Sequence, residues 1–240
     1  MADTRPVLVA TGLTSGIGHA LSELLGGTWR IVGVSRNPPA EYGDDGDWIR
    51  TDLSVPGLAA AAVTEALHCR KITRVHGVVH LGGVVFSDEA VATTGYEWEY
   101  TIAVNLRSAF ELTTALKPVL VSGASIVLVS SVDAKMSSTA GPAAAYGAAK
   151  AGLNGLMRHL AAEWGRDGIR VNAVVLGALG EGMGVKHPAT EAELLPHIAL
   201  GRLGTARDAA QAIRFLLDPE ASSYITGTEM VVDGGLNISY

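Results

Sequence analysis

A glycine-rich turn near the N-terminus joins a short apolar run to a helical pattern, and no other feature of the chain constrains its fold as strongly. The apolar run is Pro6–Ala10, which is typical of a buried parallel strand. It leads into Thr11–Gly18, after which leucines recur at helical spacing. A helix that begins after such a turn presents free N–H groups and a positive dipole end to phosphates. The pattern therefore predicts a dinucleotide-binding βαβ unit.

Three glycines of this turn have separate expected roles. Gly12 allows a tight turn, Gly16 lets the backbone approach a pyrophosphate, and Gly18 lets the helix pack closely on its strand. The spacing Gly-x3-Gly-x-Gly differs from the general dinucleotide fingerprint, and the alternative is an ordinary turn between a strand and a helix. The residues expected to bind the cofactor here are Gly12, Thr14, Ser15, Gly16, Ile17 and Gly18.

Strand-like apolar runs alternate with longer helical patterns along the chain, which predicts βαβ units and a parallel sheet. The predicted strands are residues 6–11, 30–34, 47–50, 75–81, 125–130, 169–175 and 229–232. The predicted helices are 16–26, 56–68, 97–118, 145–165 and 206–217. A length of 240 residues is normal for one α/β domain, so we expect residues 1–240 to form a single domain.

Composition excludes several other classes of protein. With 18 basic and 24 acidic side chains the net charge is −6, which does not favour nucleic-acid binding. No apolar run is long enough to span a membrane, and no signal-peptide pattern is present at the start. The single cysteine, Cys69, fits a reducing compartment, and we expect a cytoplasmic protein. Since the histidines near Cys69 do not share one element, we expect no metal.

A tyrosine and a lysine four residues apart indicate the chemistry. Tyr146 and Lys150 lie on a predicted helix, where residues i and i+4 share a face. An ammonium near a phenol favours the phenolate, so we expect Lys150 to lower the pKa of Tyr146 from roughly 10. Tyr146 would then exchange a proton with a substrate near neutral pH.

Together these motifs resemble the classical short-chain dehydrogenase/reductase family over nearly the whole chain. The matching segments are Thr11–Gly18, Ala103–Leu106 around Asn105, Ser130–Val132, Tyr146–Lys150, Val171–Val174 and Val231–Gly235. The resemblance implies one Rossmann-like, doubly wound α/β domain with a mainly parallel seven-stranded sheet and helices on both faces. It also implies a homodimer or homotetramer, since the helix after Tyr146 is rich in small residues and commonly packs against its copy.

The resemblance further implies hydride transfer between a nicotinamide and a small carbonyl or alcohol substrate. Tyr146 would donate the proton, Ser131 would hydrogen-bond the same substrate oxygen, and Lys150 would also bind the nicotinamide ribose. Asn105 would anchor a water that links Lys150 to a proton relay. The alternative function is a catalytically idle nucleotide-binding sensor or scaffold.

The second predicted strand indicates which cofactor is used. An NAD site normally carries an acidic residue at the end of this strand, whereas an arginine accommodates the 2′-phosphate of NADP. Ser35 stands at the acidic position and Arg36 follows it, which favours NADP(H); the alternatives are a surface role for Arg36 and phosphate binding by Arg50. The remaining expected cofactor contacts, by resemblance, are Asp52, Leu53, Gly82, Gly83, Gly177 and Leu179.

The chain also departs from the family pattern. Leu81, Leu176 and Glu181 replace the family's asparagine, proline and threonine. Ser131 precedes Tyr146 by 15 residues, two more than usual, and Asp133 stands at the usual distance. A neighbouring serine therefore stays an alternative to Ser131. Residues 181–200 fit neither a core strand nor a core helix, and either a substrate lid or a plain surface excursion explains them.

Overall fold

The computed structural model describes residues 4–37, 47–87, 89–137, 141–180 and 188–238. Seven strands form one sheet: β1 Val7–Thr11, β2 Arg30–Ser35, β3 Trp48–Arg50, β4 Val75–His80, β5 Leu120–Ser131, β6 Arg170–Leu176 and β7 Glu229–Val232. The helices are α1 Gly16–Leu25, α2 Leu58–Cys69, α3 Gly95–Ile102, α4 Ser108–Leu116, α5 Ala144–Trp164, α6 Pro188–Leu194 and α7 Ala206–Leu217. Strands such as β1 and β6 are buried along their whole length, as continuous apolar runs predict.

The sheet has the order β3-β2-β1-β4-β5-β6-β7, and every neighbouring pair of strands is parallel. The chain runs outward from β1 through β2 to β3, then returns to place β4 on the other side of β1. This reversal leaves a crevice at the carboxyl ends of β1 and β4, where open α/β sheets bind their ligands. The parallel sheet with surrounding helices agrees with the predicted fold class.

Two apolar clusters cover the two faces of the sheet. One contains residues of α2, α4 and α5, including Leu112, Leu153 and Met157, all with no exposed surface. The other contains residues of α1 and α7, including Leu21 and Ile213. Helices on both faces bury the central strands of the sheet, so the functional groups are left at its carboxyl edge.

The predicted helix over residues 97–118 is interrupted. A π-helical turn, Ala103–Arg107, separates α3 from α4. Such a turn inserts one extra residue into a helix and is frequent at functional sites. Periodicity cannot reveal it, since apolar residues continue on both sides.

Strand β5 is also longer than predicted, because it begins at Leu120 and not at residue 125. Its first part contains the exposed Ser122 and Gly123, which hide a strand pattern. Among the helices of the described ranges, none combines the length and apolar character that crossing a bilayer requires.

Replacing Gly18 with Ala tests the close packing of α1 on β1. A Cβ at Gly18 would lie 2.3 Å from the Cα of Leu13, so the backbone must move. We expect the free energy of unfolding to fall by about 3 kcal/mol, the upper end for overpacking, in urea denaturation.

Gly95→Ala is the matched control, since a Cβ there meets nothing within 4 Å and Gly95 also lies in the first turn of a helix. We expect its urea midpoint to equal or slightly exceed that of the wild type. Equal midpoints for the two variants would contradict this account of Gly18.

Candidate active site

The turn after β1 opens the site. Ser15 caps α1: its hydroxyl accepts a hydrogen bond from the Gly18 N–H at 3.1 Å and donates one to the Gly12 carbonyl at 2.8 Å. Gly12 has a φ of 71°, a conformation that favours glycine. The capped turn holds the start of α1 at the carboxyl edge of the sheet, where its N–H groups are available to an anion.

Glycines are required where segments approach closely around this turn. A Cβ on Gly12 would lie 2.8 Å from the carbonyl carbon of Leu81, and one on Gly82 would lie 2.5 Å from the Leu53 side chain. The Gly82 N–H donates a hydrogen bond to the Thr11 hydroxyl at 2.9 Å. These glycines let the turn after β1 pack against the segment after β4, and both segments line a cavity whose glycine turn and helix N-terminus suit a dinucleotide.

A cavity of about 610 Å³ extends from the glycine turn across the carboxyl ends of the strands. Its wall includes most of the predicted site: Gly12, Thr14, Ser15, Gly16, Ile17, Ser35, Arg36, Asp52, Leu53, Gly82, Gly83, Ser131, Tyr146, Lys150, Gly177 and Leu179. Gly18 and Asn105 lie outside the wall. Gly18 packs α1 against Leu13, and Asn105 is fully buried behind the cavity.

Helix α5 presents Tyr146 and Lys150 to this cavity. The Lys150 ammonium lies 5.3 Å from the centre of the Tyr146 ring and donates a hydrogen bond to the Val129 carbonyl at 2.9 Å. Burial lowers the pKa of Lys150 to about 8, because a charged ammonium loses its hydration there. The predicted pairing on one helix face is therefore present, with the ammonium tied to β5.

The expected effect of Lys150 on Tyr146 is wrong for this structure. The pKa of Tyr146 is raised to about 12, first by burial, then by the nearby Asp133 carboxylate, while a hydrogen bond with Ser131 acts in the opposite direction. Both main causes disfavour the phenolate. The tyrosine is consequently a phenol at neutral pH, which makes it a proton donor.

Ser131 lies at the end of β5 and contacts Asp133 in the following turn. Its hydroxyl donates to the Asp133 carboxylate at 2.7 Å and accepts from the Asp133 N–H at 3.2 Å. Ser130 also reaches the cavity, but its hydroxyl donates to the Lys150 carbonyl at 3.4 Å. Of these two serines, only Ser131 affects the pKa of Tyr146, which it lowers.

Asn105 lies in the π-helical turn, with its side chain held from both sides. Its Nδ2 donates to the carbonyls of Val84 and Thr101, each at 2.9 Å. Its buried Oδ1 accepts no hydrogen bond within the described part of the chain. An open buried acceptor fits the expected role of anchoring a water, since such groups normally have a partner.

Arg36 and Ser35 lie at the end of β2, as the sequence predicts, and both are hydrogen-bonded. The Ser35 hydroxyl accepts from the Trp48 indole N–H at 2.9 Å. The Arg36 guanidinium donates to the Tyr100 hydroxyl at 2.9 Å, and the Tyr100 ring stacks on Tyr96 with centroids 5.7 Å apart. An aromatic pair on α3 thus holds Arg36 at the cavity wall.

The departures from the family pattern have different consequences. Leu81 is half-buried and packs against the cluster under α1 and α7, while the Thr11–Gly82 hydrogen bond joins β1 to β4. Leu176 is buried at the end of β6 and lines the cavity. Glu181 lies outside the described residues.

Part of the expected lid, residues 181–187, also lies outside the described residues. The rest includes α6 and a 3-10 turn, Leu195–His197. Leu194 at the end of α6 lines the cavity, and Ile198 is buried. This segment is therefore adjacent to the site along part of its length.

Sequence reasoning missed Tyr100 and assigned Asp133 no place in the site, yet both line the cavity. Tyr100 is 64 residues from Arg36, and nothing in the sequence pairs them. For Asp133 a signal did exist, since it occupies the position at the usual distance from Tyr146.

The buried His80 is a structural residue. Its Nε2 lies 2.9 Å from the Ser108 hydroxyl, which itself donates to the Val104 carbonyl at 2.7 Å. Burial, with the nearby Lys150 charge, lowers the pKa of His80 to about 3. The imidazole is therefore neutral and links β4 to α4.

Comparison with known proteins assigns the chain to a family. A family model described as enoyl-(acyl carrier protein) reductase matches residues 34–237. The FixR protein of Bradyrhizobium diazoefficiens is 31% identical over 97% of this chain and 87% of its own. A tropinone reductase homologue of Arabidopsis thaliana is 30% identical over 98% of this chain and 92% of its own. The crystal structure of the TT0495 protein from Thermus thermophilus superimposes with a TM-score of 0.87 at 30% identity, covering 98% of this chain and 99% of the other. The chain belongs to the short-chain dehydrogenase/reductase family of nicotinamide-dependent oxidoreductases.

Proposed function

We propose that this protein is an NADP(H)-dependent oxidoreductase that interconverts a small carbonyl compound and its alcohol. The observation that carries the proposal is the convergence of Ser131, Tyr146 and Lys150 on the cavity that begins at the glycine turn. Proton-transfer groups and a phosphate-binding helix terminus thereby share one wall.

A nicotinamide cofactor, when bound, supplies the hydride for reduction of the carbonyl carbon. Tyr146 donates the proton to the developing alkoxide, and its raised pKa keeps that proton in place at neutral pH. Lys150 supplies a positive charge beside the ring, and Asn105 holds a water behind it with the free Oδ1. The chain is thus equipped for reduction near neutral pH.

The cofactor preference rests on charge at the end of β2. Ser35 is neutral, and its hydroxyl is engaged by Trp48. The carboxylate of Asp47 accepts hydrogen bonds from Arg30 at 2.6 and 2.8 Å, so it is occupied away from the ribose position. Arg36 lines the cavity and provides a guanidinium for a 2′-phosphate.

We also propose a single domain over residues 1–240 and a homodimer or homotetramer built on α4 and α5. Exposed residues there include Ala148 and Ala151, which permit close packing of a second helix, and Phe110, which is 50% exposed. Large exposed aromatic side chains of this kind are enriched at protein interfaces.

Tyr146→Phe tests the proton donor. We expect reductase turnover to fall by about 10²- to 10⁴-fold, the range for a general acid, while cofactor affinity stays within about twofold. The ring still packs, and only the hydroxyl is lost. Steady-state kinetics and fluorescence titration with NADPH measure the two quantities.

Tyr224→Phe is the control for this substitution, since Tyr224 is fully exposed. It should leave both quantities at the wild-type level. Wild-type turnover in the Tyr146 variant would refute its assignment as the donor, whereas no turnover by the wild type itself would favour an idle nucleotide-binding role.

Arg36→Leu combined with Ser35→Asp tests the cofactor preference. We expect the wild type to bind NADPH about 10- to 100-fold more tightly than NADH, since one charge-assisted contact contributes about 1.5–3 kcal/mol. The double variant should reverse the order, because it removes the phosphate partner and installs an acceptor for the 2′-hydroxyl.

Arg50→Leu is the matched control for this pair, because Arg50 lies beside Ser35 in the sheet register but belongs to β3. The Arg50→Leu variant should prefer NADPH to NADH as strongly as the wild type does. A loss of preference in this variant would assign the phosphate contact to Arg50, and tighter NADH binding by the wild type would reject NADP(H) altogether.

The pH dependence of cofactor binding tests Lys150. Its pKa of about 8 lies below the ordinary lysine value, so the ammonium is charged below that pH and loses its proton as the pH rises through it. We expect affinity for NADPH to fall by about tenfold between pH 7 and pH 10, as charge-assisted hydrogen bonds are lost. In Lys150→Met the affinity should be low at every pH in this range. An unchanged transition in the Met variant would assign the titration to another group.

A further inference from the structure

The hydroxyl proton of Ser131 is engaged by the Asp133 carboxylate. A serine hydroxyl carries one donor proton and two acceptor lone pairs. The proton goes to the Asp133 carboxylate at 2.7 Å, and one lone pair accepts from the Asp133 N–H at 3.2 Å. With its proton on Asp133, Ser131 has only an acceptor lone pair left for a substrate.

This arrangement conflicts with the role of Ser131 in the proposed function, which is to donate a hydrogen bond to the substrate oxygen. A carbonyl oxygen is an acceptor, and so is the alkoxide that forms from it, so Ser131 orients either one only by donating its proton. A simple ketone has no hydrogen-bond donor that could replace the Ser131 hydroxyl as the partner of the Asp133 carboxylate. A hydrogen-bond donor in the substrate that binds the carboxylate would release the Ser131 proton to the carbonyl oxygen.

Asp133 is available for such a contact. It is half-buried, lies in the 3-10 turn Val132–Ala134 and lines the cavity. Within the described ranges, no lysine or arginine forms an ion pair with it. Lys135 pairs with Glu229 at 2.6 Å, and Lys150 donates to the Val129 carbonyl.

We propose that Asp133 selects substrates that carry a hydrogen-bond donor, a hydroxyl or a protonated amine, on the carbon next to the reacting carbonyl. The donor binds the carboxylate, and the Ser131 proton turns to the carbonyl oxygen. The 2.7 Å between Ser131 Oγ and Asp133 Oδ2 suits a substrate whose two polar atoms stand on adjacent carbons. This selection rests on the proposed function, because it assigns a substrate class to the same site.

The second polar group of the substrate does more than add affinity, because it changes the hydrogen bonding of Ser131. A substrate with that group raises transition-state stabilisation as well as affinity, since it frees a donor for the developing alkoxide. Removing Asp133 frees the same proton without any help from the substrate. The two kinds of substrate should therefore respond to the loss of Asp133 in opposite directions.

The test compares three ketones of one framework: acetophenone, α-hydroxyacetophenone and α-aminoacetophenone. Each is assayed for kcat/KM with the wild type, Asp133→Ala, Asp133→Asn and Asp167→Ala. Asp167 is the matched control, because it is an exposed carboxylate paired with Lys117 and does not line the cavity. Its variant removes one negative charge and leaves the site intact.

The wild type and the Asp167 variant should prefer the two donor-bearing ketones to acetophenone by about tenfold or more, as expected for a hydrogen bond to a charged group. In Asp133→Ala that preference should disappear, and kcat/KM for acetophenone should rise. Asp133→Asn, which keeps the size of the side chain, should lose more of the preference for the amine than for the alcohol. The relative size of the hydroxyl and amine effects in the wild type tells which donor the site prefers.

A binding measurement makes the result independent of turnover. The product-like ligands α-methylbenzyl alcohol, phenylethylene glycol and phenylethanolamine are titrated against the protein with NADPH present. We expect the glycol or the amine to bind about tenfold more tightly to the wild type and equally to Asp133→Ala.

Equal binding of all three by the wild type, or a preference that Asp133→Ala retains, would overturn the selection by Asp133. Circular dichroism of each variant confirms its fold, and Asp133→Asn supplies the result if the alanine variant does not fold. A failure of the proposed function is distinguishable, since it appears as the absence of NADPH-dependent turnover of all three ketones by the wild type.

Discussion

The close approach of β1 to β4 at the centre of the sheet is the contact on which the site depends. There the Gly82 N–H donates to the Thr11 hydroxyl, and Gly12 leaves no room for a side chain against Leu81. The sheet reverses its direction of growth at the same place, so the crevice between these strands is also where the start of α1 points outward. The start of α1 lies beside this contact, and β5, with Ser131 at its end, lies next to β4.

The core of the fold is readable from the sequence because parallel strands are buried on both faces. Strands such as β1 and β6 are continuous apolar runs, and α7 carries a clear apolar stripe, so their positions agree with expectation. Features that interrupt a periodic hydrophobic pattern cannot be predicted from the sequence. The polar start of β5 at Ser122 and Gly123 and the extra residue around Asn105 leave no periodic signal.

In the site too, the sequence predicts which residues take part but not the chemical environment that surrounds them. Residue spacing predicts that Tyr146 and Lys150 share a helix face, and the family resemblance assigns them to the same site as the glycine turn. The pKa of Tyr146 was predicted in the wrong direction, because burial and the Asp133 charge are properties of the folded cavity. The partner of Arg36 was missed for the same reason, since Tyr100 reaches it from a distant helix.

The π-helical turn Ala103–Arg107 separates α3 from α4, which would otherwise form one helix, and it sets the rotation of one relative to the other. On its N-terminal side α3 carries Tyr100 to Arg36, and on its C-terminal side α4 buries Ala109 and Leu112 against the sheet. Loss of a single residue from the turn would restore a regular helix and rotate one half against the other by about 100°. The Tyr100–Arg36 hydrogen bond and the burial of Ala109 and Leu112 could then no longer both form, so the length of this short segment is as constrained as residue identity is elsewhere.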